Sequence, residues 1–282
     1  MKRILMTGTS GFLGSHLFNY LSKENNVEPL YVRSNNLAEI PEKILKFNPD
    51  IFIHVGWAKG NSFKDIHSIK QFDNVRVGAK ILESLSKNKN LHFIGFGSFS
   101  EYEKNKFSKE TDIECPDSEY GLAKNMFGLI SEVFCNNNNF DWTWIRPCYT
   151  YGKDDVNTRL IPKVIKSCLN NENLELDSCD SVVDYLYVED FIRAVGSLIK
   201  NKKSGVFNIC SGEKYIIKDI VNKIKQICNS SSQITFNSTK DRKNFSKYIC
   251  GDNSKLINSI NWKPEWSLED GLEKTIETYN EK

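Results

Sequence analysis

Short apolar runs alternate with longer amphipathic stretches through the first half of the chain, the pattern of successive strand–helix–strand units in a parallel sheet. Arg3–Thr7 predicts a first strand. Phe12–Lys23 predicts a helix that lines up Leu13, Leu17 and Leu21 on one face. Pro29–Val32 and Ile51–Val55 predict the second and third strands. A helix over Val75–Leu85, a strand at His92–Phe96, a long helix over Glu119–Cys135 and a strand at Trp142–Arg146 follow. Beyond Tyr151 the pattern changes to a helix over Arg159–Leu169, a strand at Val183–Val188, a helix over Val188–Ile199 and a short strand at Val206–Ile209. From Ser211 onward, short helices and one strand (Gln233–Phe236) predict a small lobe ending in a helix over Ser267–Tyr279. The polar Asn229–Ser232 reads as a surface loop, and no internal repeat or low-complexity tract interrupts the chain.

The length of 282 residues fits one large α/β domain with a smaller appended lobe. With 39% apolar and 26% charged residues the composition is that of a globular protein. A net charge of +2 gives no electrostatic reason to expect nucleic acid or membrane partners. No apolar run approaches the roughly 18 residues of a membrane span. Met1-Lys2-Arg3 leads straight into a strand, so no signal peptide is expected and the protein should be cytoplasmic. Eight scattered cysteines without a CxxC pair read as buried thiols of a reducing compartment. Four dispersed histidines give no reason to expect a metal site.

The strongest local signal is Thr7-Gly8-Thr9-Ser10-Gly11-Phe12-Leu13-Gly14, which follows the first strand and opens an amphipathic helix. There Gly8 allows a tight turn, Gly11 lets the backbone approach a pyrophosphate, and Gly14 lets helix and sheet pack closely. The backbone from Ser10 through Phe12 and Leu13 then offers N–H groups at the positive end of a helix. The end of the second strand reads Leu30-Tyr31-Val32-Arg33-Ser34, without the acidic residue that would bind a ribose 2′-hydroxyl. Arg33 offers a charged fork for a 2′-phosphate and Ser34 a hydroxyl, which favours NADP(H) and leaves NAD(H) possible. A solvated Arg33 that only stacks on adenine is the alternative.

Tyr120-Gly121-Leu122-Ala123-Lys124 sets a tyrosine and a lysine four residues apart on one helix face. An ammonium beside a phenol favours the phenolate and should bring its pKa toward neutrality. Such a tyrosine can pass a proton to or from a carbinol while hydride moves at a nicotinamide. Alone, the spacing also describes an ordinary exposed helical pair. Gly97-Ser98-Phe99-Ser100-Glu101-Tyr102 adds weight, because Ser98 follows a strand and can bond the same substrate oxygen.

Together these residues resemble the extended short-chain dehydrogenase/reductase family, within it the nucleotide-sugar epimerases, dehydratases and 4-ketoreductases. The resemblance covers nearly the whole chain: the glycine motif, Asp50 to Trp57, Asn74-Val75, Arg146 to Gly152, Arg159 to Pro162, Val183 to Asp190 and Asn261 to Pro264. It implies a Rossmann-type doubly wound parallel sheet with a smaller, discontinuous α/β substrate-binding lobe. The dinucleotide-binding domain would span 1–151, with 183–210 returning to it, and the lobe 152–182 and 211–282. By the same resemblance Ser98, Tyr120 and Lys124 form the catalytic triad, with Tyr120 and Lys124 also touching the cofactor. Arg159 and Arg242 become candidates for the substrate diphosphate, though each reads equally well as a surface arginine. A homodimer through helices like Val75–Leu85 and Glu119–Cys135 is expected.

Departures from the family narrow the chemistry. Its dehydratases carry an Asp-Glu pair just after the catalytic Ser/Thr, where this chain has Phe99 and Ser100. The GDP-fucose-synthase type uses a Cys and a His, where Ser100 and Arg159 stand here. Val183 replaces an arginine common in the family. What remains is an NADPH-dependent 4-reductase of a nucleoside-diphosphate-4-keto-6-deoxyhexose, serving surface polysaccharide. The alternatives are an NAD-dependent 4-epimerase or a non-catalytic nucleotide-sensing protein on the same fold; the intact triad argues against the last.

Overall fold

Every second residue of a strand faces the same side, so a strand apolar at consecutive positions can bury both faces of a sheet. The computed structural model describes residues 1–32, 36–58, 63–240 and 246–280, and it uses this property throughout its centre. Six parallel strands lie in the spatial order Asn26–Pro29, Arg3–Thr7, Ile51–His54, His92–Phe96, Asp141–Pro147 and Gly205–Ile209. Ile4, Met6, Ile51, Ile53, Ile94 and Phe96 face one core, with Leu17 and Leu21 of the Phe12–Leu21 helix and Phe191 of the Val188–Lys200 helix. Leu5, Phe52, Phe93, Trp142 and Trp144 face the other, against the helices Ile40–Phe47, Phe72–Leu85 and Glu119–Asn137. The sheet is therefore doubly wound and Rossmann-like, as expected.

The strand order reverses between Arg3–Thr7 and Ile51–His54, because the chain first adds Asn26–Pro29 on one side and then crosses to the other. In open α/β sheets the crevice outside the carboxyl ends at such a point is where ligands bind. Smaller strands extend the structure. Tyr149–Tyr151 pairs with Tyr185–Tyr187, and Leu174–Leu176 with Ile234–Phe236. Val182–Val183 lies between Tyr215–Ile216 and Tyr248–Gly251. One apolar core runs from the sheet into these segments, since Ile161, Val164, Ile220 and Leu272 join the cluster of Ile4 and Met6.

Two strands differ from expectation. The second occupies Asn26–Pro29 instead of Pro29–Val32. It is an edge strand, so it needs no continuous apolar run; Pro29 closes the ladder, and Leu30 N–H adds one last bond to Met6 O at 2.7 Å. The predicted strand Val183–Val188 divides at Asp184 into Val182–Val183 and Tyr185–Tyr187. The buried Asp184 carboxylate turns away to accept the Ser211 N–H and hydroxyl and the Gly212 N–H, each at 2.8 Å. Val183, where the family commonly has arginine, is fully buried between Tyr215 and Ile249, a place for an apolar side chain.

A buried ionic network fixes the loop after the fourth central strand. Glu101 is 0% exposed and accepts the Ser98 N–H at 2.6 Å, the Trp144 indole N–H at 3.0 Å and Arg146 Nε at 2.8 Å. Arg146, 2% exposed, continues to Glu114 at 2.7 Å and to the Tyr102 hydroxyl at 2.8 Å, which donates to Asn208 Oδ1 at 2.8 Å. Arg146→Met would leave the Glu101 carboxylate buried without its partner. Breaking a buried pair in this way costs about 3–5 kcal/mol, which urea denaturation of the variant should read as lost stability.

Candidate active site

The turn after the first strand brings backbone segments into close contact. Gly8 has φ +76°, and a Cβ there would lie 2.5 Å from Gly56 N, across the switch point. A Cβ on Gly14 would lie 1.9 Å from Gly8 O, so the helix start and the turn can touch only as glycines. Gly11 is exposed, and its nearest such contact, Gly8 O, is at an ordinary 3.5 Å. No side chain caps the Phe12–Leu21 helix, and Ser10 and Gly11 face solvent. An open backbone surface at an uncapped helix N-terminus, in the crevice of the sheet, fits a dinucleotide pyrophosphate held by the backbone of Ser10 to Gly14. Phe12 and Leu13 are half-buried at its inner side.

Ser98, Tyr120 and Lys124 come together at the carboxyl end of His92–Phe96. Ser98 caps the short 3-10 turn Phe99–Glu101, with its Oγ accepting the Ser100 N–H at 3.1 Å, and its hydroxyl pulls the Tyr120 phenol pKa down. Tyr120 sits in the first turn of the Glu119–Asn137 helix, which Ser118 caps by accepting the Gly121 N–H at 3.1 Å. Lys124, one turn on, is 3% exposed and donates from Nζ to Phe96 O at 2.6 Å.

The electrostatics depart from the simple expectation of a phenol drawn toward neutrality. Burial pushes the Tyr120 phenol above its usual value and wins over the Ser98 bond and the Arg159 guanidinium, which pull it down. Lys124 does not reverse this, because burial lowers its own pKa to about 7, partly offset by the Glu101 carboxylate. Its Nζ lies 5.9 Å from the Tyr120 ring centroid and 3.9 Å from that of Trp57. Tyr120 is thus a protonated phenol at neutral pH, a proton donor. His54, below the pair, bonds Thr7 Oγ1 at 2.9 Å and is held neutral by burial, its pKa about 3.

Arg159 precedes the Leu160–Leu169 helix, and its Nη1 donates to Asp155 at 3.1 Å and Thr150 O at 3.4 Å. Its charge pulls the phenol pKa values of Tyr120 and Tyr185 down against the effect of burial. Arg33, Ser34 and Arg242 lie outside the described residues. Phe99 is buried with Tyr102, Cys148 and Cys210, away from any acid/base role. Two residues here had no role assigned from sequence. Glu101 was legible in the Ser98-x-x-Glu101 spacing of a capping box, which the structure forms. Trp57 carried no such signal, since only the fold brings it over Lys124.

Comparison with known proteins gives the family and the fold. Residues 4–210 match the NAD dependent epimerase/dehydratase family. CDP-abequose synthase of Salmonella muenchen is 25% identical over 297 residues, covering 98% of this chain and 97% of its own. GDP-6-deoxy-D-talose 4-dehydrogenase of Aggregatibacter actinomycetemcomitans is 24% identical over 275 residues, 92% and 91% of the two chains. The structure of UDP-glucose 4-epimerase of Thermotoga maritima with UDP-glucose has a TM-score of 0.89 at 22% identity, covering 99% of this chain and 98% of the other, a likeness of fold. With a match from the first strand to the last strand of the sheet, the chain belongs to the NAD dependent epimerase/dehydratase family, the extended short-chain dehydrogenase/reductases, and is an enzyme that works with a nicotinamide cofactor.

Proposed function

We propose that the protein is an NADPH-dependent reductase of the 4-keto group of a nucleoside-diphosphate-4-keto-6-deoxyhexose, making an activated deoxysugar for a surface polysaccharide. The observation that carries this reading is a protonated Tyr120 phenol under the influence of the Ser98 hydroxyl, with a buried Phe99 where a dehydratase would need acid/base groups. The names of the two relatives support the substrate class, and that of the second a reaction at carbon 4. Free thiols at all eight cysteines suit a reducing compartment, the cytoplasm. No helix among the described residues is long and apolar enough to cross a membrane.

NADPH would be held by the backbone of Ser10 to Gly14, by Lys124 and by Arg33, and when bound would supply the hydride that reduces the carbonyl carbon. Ser98 positions the carbonyl oxygen by hydrogen bonding, and Tyr120 donates its proton as negative charge develops there. Lys124 holds the nicotinamide ribose and, as an ammonium, stabilises the phenolate that Tyr120 leaves. Arg159 keeps its other guanidinium nitrogens free among the described residues, and with Arg242 is assigned to the substrate's diphosphate. Residues 152–182 and 211–282 form the nucleotide-sugar lobe in this reading, and 1–151 with 183–210 the cofactor domain.

Tyr120→Phe keeps the ring and removes the proton. Its turnover number should fall about 100- to 10,000-fold while cofactor affinity hardly changes. The assay is a panel of 4-keto-6-deoxy nucleotide-sugars with NADPH, followed at the nicotinamide absorbance band. One NADPH should disappear per sugar reduced; turnover without net cofactor consumption would instead make the enzyme a 4-epimerase.

Arg33 is assigned to the cofactor 2′-phosphate. Arg33→Ala should therefore weaken NADPH by roughly 1.5–3 kcal/mol more than NADH, as steady-state constants with both cofactors will show. Equal losses would reduce Arg33 to a stacking role.

The homodimer of this reading is supported by the Glu119–Asn137 helix, whose outer face exposes Leu122, Met126, Leu129, Ile130 and Val133, with Leu129 at 54% and Val133 at 59%. Such a stripe suits the same helix of a second copy across a two-fold axis. Light scattering at micromolar concentration should report twice the chain mass, and Leu129→Glu with Val133→Glu should return the monomer.

A further inference from the structure

Lys124 is a charge stripped of water. Its Nζ has the Phe96 carbonyl at 2.6 Å, and no carboxylate forms an ion pair with it among the described residues. What covers it is the face of Trp57, with the ring centroid 3.9 Å from Nζ. The same indole meets the Tyr120 ring edge-on, centroids 6.4 Å apart at 90°.

This indole is held more firmly than packing requires. Its Nε1 donates to Gln71 Oε1 at 2.8 Å, and the fully buried Gln71 donates from Nε2 to Asp65 O at 2.9 Å. The next residue is clamped as well: Asn74 accepts the Ala58 N–H at 2.8 Å and donates to Ala58 O at 3.0 Å. Ring edge and neighbouring backbone are held by Gln71 and Asn74 of one segment, with the indole face against Lys124.

We propose that Trp57, locked by Gln71, is a positioning residue of the reaction, whose π face keeps the Lys124 ammonium charged and aimed at Tyr120 and the cofactor. The inference rests on the role given above to Lys124. An aromatic face attracts a cation most strongly when water is excluded, and tryptophan does so best. The other groups facing Lys124 leave it this task. Glu101, from the turn below, already shares its charge with Arg146. His54, from the neighbouring strand, is neutral, and Tyr120, from the same helix, is a neutral phenol. Gln71 is uncharged, and His67 and Glu119 pair with each other at 3.4 Å at the start of the helix.

The test uses calorimetric titration of the full chain with NADPH or NADH across the neutral pH range, where no sugar is needed. An error in the assigned substrate therefore changes turnover and leaves this readout intact. Lys124 binds as the ammonium, so wild-type affinity should fall as pH rises through the titration of Lys124, and Lys124→Met should show no such transition. Trp57→Leu removes the π face without adding a charge, and should move the midpoint down by about one pH unit. Trp57→Phe, which keeps an aromatic face, should move it less, and Gln71→Leu should move it in the same direction. A wild-type profile without a transition, or an unmoved midpoint in Trp57→Leu beside a uniform loss of affinity, overturns the proposal. Should melting show that Trp57→Leu does not fold, the Gln71→Leu midpoint decides alone: lower supports the proposal and unmoved overturns it.

Discussion

The site depends on one buried ion pair. Removing Glu101 and Arg146 from water is expensive, and the attraction between them offsets that only if every remaining polar atom finds a partner. Here they do, and the partners are informative. The Glu101 carboxylate takes the Ser98 N–H and the Trp144 indole; the Arg146 guanidinium takes Glu114 and, through Tyr102, Asn208 of the last central strand. A single network therefore ties the loop that carries the proposed catalytic serine to two neighbouring strands of the sheet. Apolar side chains would fill that space at lower cost, but they would not define where the Ser98 hydroxyl lies. The network gives the loop a unique position.

The same carboxylate sets the electrical balance above it. Burial alone works against charge on both Tyr120 and Lys124, raising the phenol and lowering the ammonium to about 7. Glu101 opposes burial at Lys124, where it favours the ammonium, and adds to it at Tyr120, where it too favours the protonated phenol. Each influence leaves Tyr120 holding its proton at neutral pH, the state a reductase needs before hydride arrives. Only Arg159 and the Ser98 hydroxyl favour the phenolate. The phenol is thus held in its protonated form, with Ser98 and Arg159 as the two groups that ease proton release.

Periodicity made the sheet legible because its central strands are buried on both faces. Ile51 to His54 and His92 to Phe96 are apolar at nearly every position, and they end within a residue of where the pattern places them. The second strand was misplaced for the opposite reason, since Asn26-Val27-Glu28-Pro29 is an edge whose ladder is satisfied on one side only. The Ile40–Phe47 helix escaped notice because its two buried residues, Ile40 and Ile44, form a single repeat. At the site, residues joined through local spacing could be read directly: Gly8, Gly11 and Gly14 on one turn, Tyr120 and Lys124 on one helix. The Glu101–Arg146 contact and the Trp57–Lys124 contact join residues 45 and 67 positions apart, and such distances leave no periodic trace.

The turn after Ser98 bears on which chemistry this scaffold can host. Phe99 fills a small apolar cluster with Tyr102, Cys148 and Cys210, edge-on to the Tyr102 ring at 5.6 Å. A carboxylate placed there would be buried beside thiols that are themselves held protonated by burial, with the nearest cation, Arg146, already bonded to Glu101, Glu114 and Tyr102. It would take up a proton and lose the basicity that abstraction of a sugar proton requires. Dehydration chemistry could therefore not be installed by the two substitutions that a motif comparison suggests. The cluster beneath the turn would have to be rebuilt with them, because the position of Ser98 and the apolar seat of Phe99 are two consequences of the same buried network.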